Sequence, residues 1–266
     1  MNSKKMETKN YTIKIKIDCI PEVHSFRLVG DLTTTGLFGN KPYNLFSRGL
    51  QQEPTSESDL IFNDEDFWQQ LYQSFDTDLA YHTQEHLTDH EKKDLSSIVK
   101  NQCEIARDIW SKERAIVSQN AYDQIYVEGG RDSISQDPVL WNIPIDKVVS
   151  LDEDNPAYNV IRKSLEGNNA NEDNGHFNNV RASFELQKRR EIEWARKIQN
   201  HENSLVIVGY NHFTPKFGKF VPSLANKGLV INPVLDLSEQ YNKTKNNNAE
   251  INRFQRLIGF RDSVAA

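Results

Sequence analysis

The chain is 266 residues long, enough for one large domain or for a domain carrying a substantial appendage. Its formal charge of −6, with acids and bases interspersed, argues against a nucleic-acid protein held by phosphate contacts. No apolar run reaches the length of a membrane span, and neither G-x-x-x-x-G-K-[ST] nor G-x-G-x-x-G occurs, which removes the nucleotide-binding readings.

The hydrophobic share of 37% is low, yet thirteen Phe, nine Tyr and four Trp can still build a core. The opening MNSKKMETKNYTIK lacks the apolar centre of a secretory signal, so the expectation is a cytoplasmic protein, or one exported without a cleaved signal. Cys19 and Cys103 show no metal-ligand spacing; they could pair, but two reduced thiols are the expectation.

In chain order, Tyr11, Ile13, Ile15 and Ile17 alternate with Thr12, Lys14, Lys16 and Asp18, as in a half-solvated strand. Residues 26–32 are a second strand candidate, followed by turn residues and a polar, proline-containing stretch. Residues 1–62 are therefore expected to form an N-terminal β-rich appendage, and residues 63–266 an α/β domain. Phe67, Leu71 and Phe75 mark an amphipathic helix over 66–75, with Asp64 as its cap. A short strand is expected at 77–81. The longest helical pattern covers 95–117, with Leu95, Ile98, Val99, Cys103, Ile105, Ala106 and Ile109 on one stripe.

Residues 122–127 read as a strand running into Glu128-Gly129-Gly130, and 148–151 as another. The asparagine-rich segment 167–179 lacks apolar periodicity and predicts a mobile loop or a lid. A charged helix over 182–200 leads to 205–208, an apolar run too short and too β-branched for a helix, as in a strand buried on both faces. A short helix at 220–225 and a strand at 229–237 complete a βαβ unit. The tail over 240–250 is polar, and 251–260 can close as a terminal helix. Strands alternating with helices predict a mainly parallel sheet with helices on both faces, with 122–127 and 205–208 side by side or one apart.

Ligands bind such sheets beyond the carboxyl ends of the strands. His212 follows the strand at 205–208 and Gly209; a neutral imidazole there can be a metal ligand or a general base. The plainer alternative is a histidine satisfied by a loop carbonyl. Glu128 ends the strand at 122–127 beside two glycines, where a carboxylate can bind metal, orient a histidine or act as a base; otherwise it is a turn acid. His82, His86 and His90 stand at i, i+4 and i+8, which on a helix would share one face and could chelate a metal, against the plainer reading of an exposed helix entry. Arg189 and Arg190 open a run in which arginine can clamp a carboxylate or phosphate, although so charged a run is usually a solvated face. Only Trp194 interrupts that plainness. Glu128 and His212 are expected to share one pocket, with Arg190 at its wall.

RREIEWARKI, a strand, GYNH and GKFVPSLANKGLVI together resemble the C-terminal half of the TraB/TIKI-type proteins, related to the ChaN-like and erythromycin-esterase-like folds. Arg190, Trp194, Ala195 and Ile198 fit that family's arginine-led helix R-x-x-x-(M/W)-A-x-x-I. Gly209 and His212 fit its strand ending in G-x-x-H, and the stretch ending at Glu128-Gly129 fits its strand ending in Glu-Gly. The early G-x-x-H or G-E-x-x-H motif has two candidate counterparts. His82-Thr83-Gln84-Glu85-His86 precedes the long helix but lacks the glycine; Val29-Gly30-Asp31-Leu32-Thr33 has the glycine but no histidine.

The resemblance implies an α/β fold with its site at the carboxyl edge of the sheet. It also implies one of several activities: metal-dependent peptide cleavage, ester hydrolysis or haem binding. Two readings follow. In the first, the chain is a hydrolase acting on a small-molecule or peptide substrate, with or without a divalent metal ion. His86, His212 and Glu128 would be ligands or bases, and Arg190 an oxyanion or substrate clamp. In the second, it is a non-catalytic binding module, such as a bacterial effector or a haem or ligand binder, that meets a protein partner through its N-terminal part.

Overall fold

The computed structural model describes residues 15–22, 65, 69, 72–73, 76, 87–130, 137–140, 143–167, 176–199, 203–214 and 218–265. Five strands form one sheet: β1 (Ile15–Glu22), β2 (Gln124–Val127), β3 (Val148–Ser150), β4 (Ser204–Gly209) and β5 (Leu229–Pro233). Their spatial order is β3-β2-β4-β1-β5, and every pairing is parallel. β2 and β4 are direct neighbours, with Val127 opposite Ile207. Helices whose bounds lie within the described residues are α1 (Asp89–Gln119), α2 (Pro156–Gly167), α3 (His176–Lys197), α4 (Phe220–Asn226) and α5 (Ser238–Ala265). Among the described residues no helix is long and apolar enough to cross a membrane.

Helices cover both faces for a topological reason. The chain moves one way across the sheet from β1 through β2 to β3, then the other way through β4 to β5. Right-handed crossovers in opposite directions place their connections on opposite faces. Successive strand residues accordingly alternate between two cores. Ile125, Val127, Leu205 and Ile207 pack with Leu95, Cys103, Ala106 and Ile109 of α1 and Phe254 of α5. Tyr126, Val206 and Val208 pack with Trp194, Ala195 and Ile198 of α3 and Phe220 and Leu224 of α4. All six residues of β4 are buried, as expected of a strand covered on both sides.

Several sequence expectations need correction. Residues 15–22 lie in the sheet between β4 and β5, not in an N-terminal appendage. The lysines that made this stretch look half-solvated stop at Lys16; Ile17, Cys19 and Ile20 are buried. Asp18, on the apparent polar side, accepts hydrogen bonds from Tyr122 Oη at 3.1 Å and Asn232 Nδ2 at 2.6 Å. Residues 26–32, the expected strand at 77–81 and the rest of the N-terminal region lie outside the described residues.

α1 begins six positions before its apolar stripe, because Thr88 and Glu91 form a capping box at its start. Gly167 closes α2, and residues 176–179 already belong to α3, so only 168–175 of the expected loop lie outside the described residues. α2 has no counterpart among the expected elements, although Asn155-Pro156 announces it. Asn155 Oδ1 accepts from the backbone N–H groups of Ala157 at 3.1 Å and Tyr158 at 3.3 Å, and proline suits a first helical position. The polar stretch 240–250 is helical within α5, where Tyr241 and Thr244 fall on the side turned to the core.

Candidate functional site

Parallel pairing brings the carboxyl ends of β2, β3 and β4 to one edge, and each is followed by a residue that matters there. Glu128 follows Val127. Gly129 then adopts φ 115°, a backbone conformation that disfavours any side chain, and turns its N–H onto Asp152 Oδ2 at 2.8 Å. Asp152 lies just past β3. Beyond β4 a single 3₁₀ turn, Tyr210–Phe213, folds His212 back towards α3.

α3 supplies the rest. Arg190 Nε donates to Asp152 Oδ1 at 2.7 Å, its Nη2 donates to Asp152 Oδ2 at 2.5 Å, and the same Nη2 lies 3.0 Å from Glu128 Oε1. Arg190 Nη1 donates to Gln187 Oε1 at 3.2 Å. The guanidinium stacks over the Trp194 ring at 4.4 Å, and Trp194 Nε1 donates to Asp152 Oδ1 at 2.8 Å. Asp152 thus receives four hydrogen bonds, which is what allows a carboxylate to be fully buried.

His212 lies between two carboxylates. Its Nδ1 is 2.6 Å from Glu191 Oε1, and its Nε2 is 3.6 Å from Glu128 Oε1. The first is a hydrogen bond; the second is too long for one and is a charge contact. The Trp194 ring meets the imidazole edge-on at 4.8 Å. Glu191 Oε2 accepts from Lys219 N at 2.9 Å and Phe220 N at 3.1 Å, tying the start of α4 to the site. Glu128 Oε2 accepts from Gly209 N at 2.8 Å, joining the ends of β2 and β4.

The electrostatics follow from burial. The side chains of Glu128, Asp152, Arg190, Glu191 and His212 are all 9% exposed or less. Three carboxylates therefore face one guanidinium and one imidazole in a medium that screens poorly. Burial alone would lower the His212 pKa; the charge of Glu128 and the hydrogen bond and charge of Glu191 outweigh it and raise the pKa above its ordinary value. Arg190 behaves likewise: burial opposes its charge, but Asp152 and Glu128 raise its pKa.

Of the residues singled out from sequence, Glu128, Arg190 and His212 therefore meet at one place, in a buried cluster. His82 and His86 lie outside the described residues. His90 stands in the first turn of α1 with its side chain 81% exposed, paired with Asp94 at 2.9 Å. Arg189 is exposed, so the charged run is a solvated face at some positions and a buried one at Arg190, Glu191 and Trp194. Asp152 and Glu191 were missed. The rule that found Glu128, an acid just beyond a buried strand, applies equally to Asp152. Glu191 had its place beside Arg190, one helical turn before Ala195, to mark it.

A divalent metal fits the described residues only in part. Glu128 Oε1 and His212 Nε2 could be two ligands, and Glu191 on Nδ1 matches the carboxylate that commonly orients a metal-bound histidine. Yet catalytic zinc takes three protein ligands, and Glu128 Oε1 already faces Arg190. Among the described residues no group of three or more His, Cys, Asp or Glu side chains is arranged to hold a metal ion. Compared with protein-family models, with curated proteins and with solved structures, the chain matches none.

Proposed function

We propose that the chain is a hydrolase acting on a peptide or ester bond, a divergent relative of the TraB/TIKI-type proteins with its site at the carboxyl edge of the sheet. One observation carries the reading: His212 is held by Glu191 at Nδ1 while its Nε2 faces Glu128 at the ends of β2 and β4. A base oriented through one ring nitrogen and presented through the other is the recurring arrangement of general-base catalysis.

In this reading a water contacts Nε2 and Glu128 Oε1 together. Nε2 takes a proton from it, the resulting hydroxide oxygen bonds to the carbonyl carbon, and the carbonyl π electrons move to oxygen. When the tetrahedral intermediate collapses, the C–N or C–O bond breaks and the Nε2 proton passes to the leaving nitrogen or oxygen. A carboxylic acid and an amine or alcohol result. Glu128 steadies the imidazolium between the two steps. Arg190 spends its donors on Asp152, Glu128 and Gln187, so it acts here by holding Glu128 rather than by gripping substrate. A metal-assisted form of the same reaction would need a further ligand, for which His86 is the sequence candidate.

The second reading, a binding module that keeps the fold, is favoured by the closure of the cluster, whose charges largely satisfy one another. A panel of chromogenic esters and fluorogenic peptides, assayed with wild-type protein and with His212→Ala, separates the two. Metal analysis of the purified protein and assays with and without chelator accompany it. The hydrolase reading expects wild-type turnover that His212→Ala abolishes while circular dichroism is unchanged. No turnover by the wild type, or full turnover by a folded His212→Ala, removes it.

A further inference from the structure

We infer that Glu191 is the positioning residue that keeps hydrogen on Nδ1 of His212, so that protons enter and leave the ring at Nε2 alone. The geometric part stands by itself; its consequence for turnover rests on the hydrolase reading.

Glu191 is fully buried, and its Oε2 accepts from two backbone N–H groups, those of Lys219 and Phe220. Neither amide can do anything but donate. An ionised carboxylate is an acceptor at both oxygens, so Oε1, 2.6 Å from Nδ1, also requires a donor. In the neutral ring this places the hydrogen on Nδ1 and the lone pair on Nε2, towards Glu128. In the imidazolium Nδ1 keeps its hydrogen and Nε2 gains one.

Glu191→Gln turns this into a sharp test. The two amide N–H groups still demand an oxygen where Oε2 stood. The new NH₂ group must then occupy the place of Oε1 and donate to His212 Nδ1. Nδ1 becomes an acceptor, and the hydrogen of the neutral ring moves to Nε2, where the lone pair of the base should be. Glu191→Asp keeps two acceptor oxygens and provides the control.

The experiment is ¹⁵N–¹H correlation NMR of the full chain labelled at histidine, at a pH where the ring is neutral, with the His212 signals assigned by their loss in His212→Gln. Wild type is expected to carry hydrogen on Nδ1, and Glu191→Gln on Nε2. A neutral wild-type ring protonated at Nε2 overturns the inference, as does a folded Glu191→Gln that keeps Nδ1–H. Should Glu191→Gln fail to fold, the wild-type spectrum and that of Glu191→Asp decide: Nδ1–H in both supports it, and Nε2–H in either sinks it. Where a substrate is turned over, Glu191→Gln is expected to lower kcat by roughly 10⁴-fold with KM little changed, the scale seen when an orienting acid is lost. Wild-type protein that hydrolyses nothing removes the hydrolase reading and leaves the tautomer result intact. An active wild type with an unaffected Glu191→Gln keeps the hydrolase reading and removes the positioning role of Glu191 in turnover.

Discussion

Arg190 and Asp152 meet through two parallel hydrogen bonds, Nε to Oδ1 at 2.7 Å and Nη2 to Oδ2 at 2.5 Å, with side chains only 7% and 0% exposed. Asp152 lies beyond β3 and Arg190 on α3, and Arg190 also reaches Glu128 beyond β2. One guanidinium therefore joins the acids that end two neighbouring strands. Desolvating these charges is costly, and the full set of partners is what offsets the cost.

Removing one partner should show this. Asp152→Ala leaves Arg190 buried with Glu128 and Gln187 alone and strips Trp194 Nε1 and Gly129 N of their acceptor. Breaking a buried pair in this way costs about 3–5 kcal/mol. Arg196→Ala breaks a pair with Glu193 whose side chains are 69% and 35% exposed, and should cost at most about 1 kcal/mol. Urea unfolding of the two variants measures the contrast; equal midpoints would contradict it.

The titration of His212 gives a pH dependence with a definite sign. Glu191 on α3 faces Nδ1 and Glu128 beyond β2 faces Nε2, while Arg190 beside Glu128 opposes them. The folded-state pKa is raised above the ordinary 6.5. Stability from the protonated ring is fully present below that unfolded-state value and is lost as pH rises through the folded-state value. The difference in unfolding free energy between wild type and His212→Gln should therefore shrink as pH rises from about 6.5. Over the same window kcat should rise as the base loses its proton. A difference that grows with pH would show that the folded-state pKa is lowered.

Cys19 and Cys103 should be inert in the native state. Both are buried, and desolvation, aided by Asp18 for Cys19 and by Glu104 for Cys103, pushes each thiol up to about 12. They belong to different cores on opposite faces of the sheet, so they cannot pair. An aromatic disulfide reagent should find no reactive thiol among them until denaturant is added and two afterwards. Rapid native labelling of either would mean that the sheet opens.

The sequence by itself determined where β2 and β4 end and what stands there. β4 is legible from Leu205 to Val208 because short, β-branched, apolar segments have few alternatives, and Glu128 and His212 follow from counting to the strand ends. Its local rules extended further than they were taken: Asn155-Pro156 marks α2, and Asp152 follows β3 as Glu128 follows β2. Tertiary structure decided which side chains meet. In QKRREIEWARK charge obscures helical periodicity, so Arg190 and Glu191, one turn before Trp194 and Ala195, do not stand out as buried beside exposed Arg189. That choice depends on how α3 is rotated against the sheet, with Trp194, Ala195 and Ile198 packed on Val206 and Val208. The same holds for Ile15–Glu22, whose alternation suited a half-solvated strand until pairing with β4 and β5 placed it inside the sheet, where Ile20 packs in one core and Ile17 and Cys19 in the other. Strand pairing and helix rotation are non-local: they are selected by the total area buried and the polar groups satisfied across the whole sheet, quantities that no short stretch of residues contains.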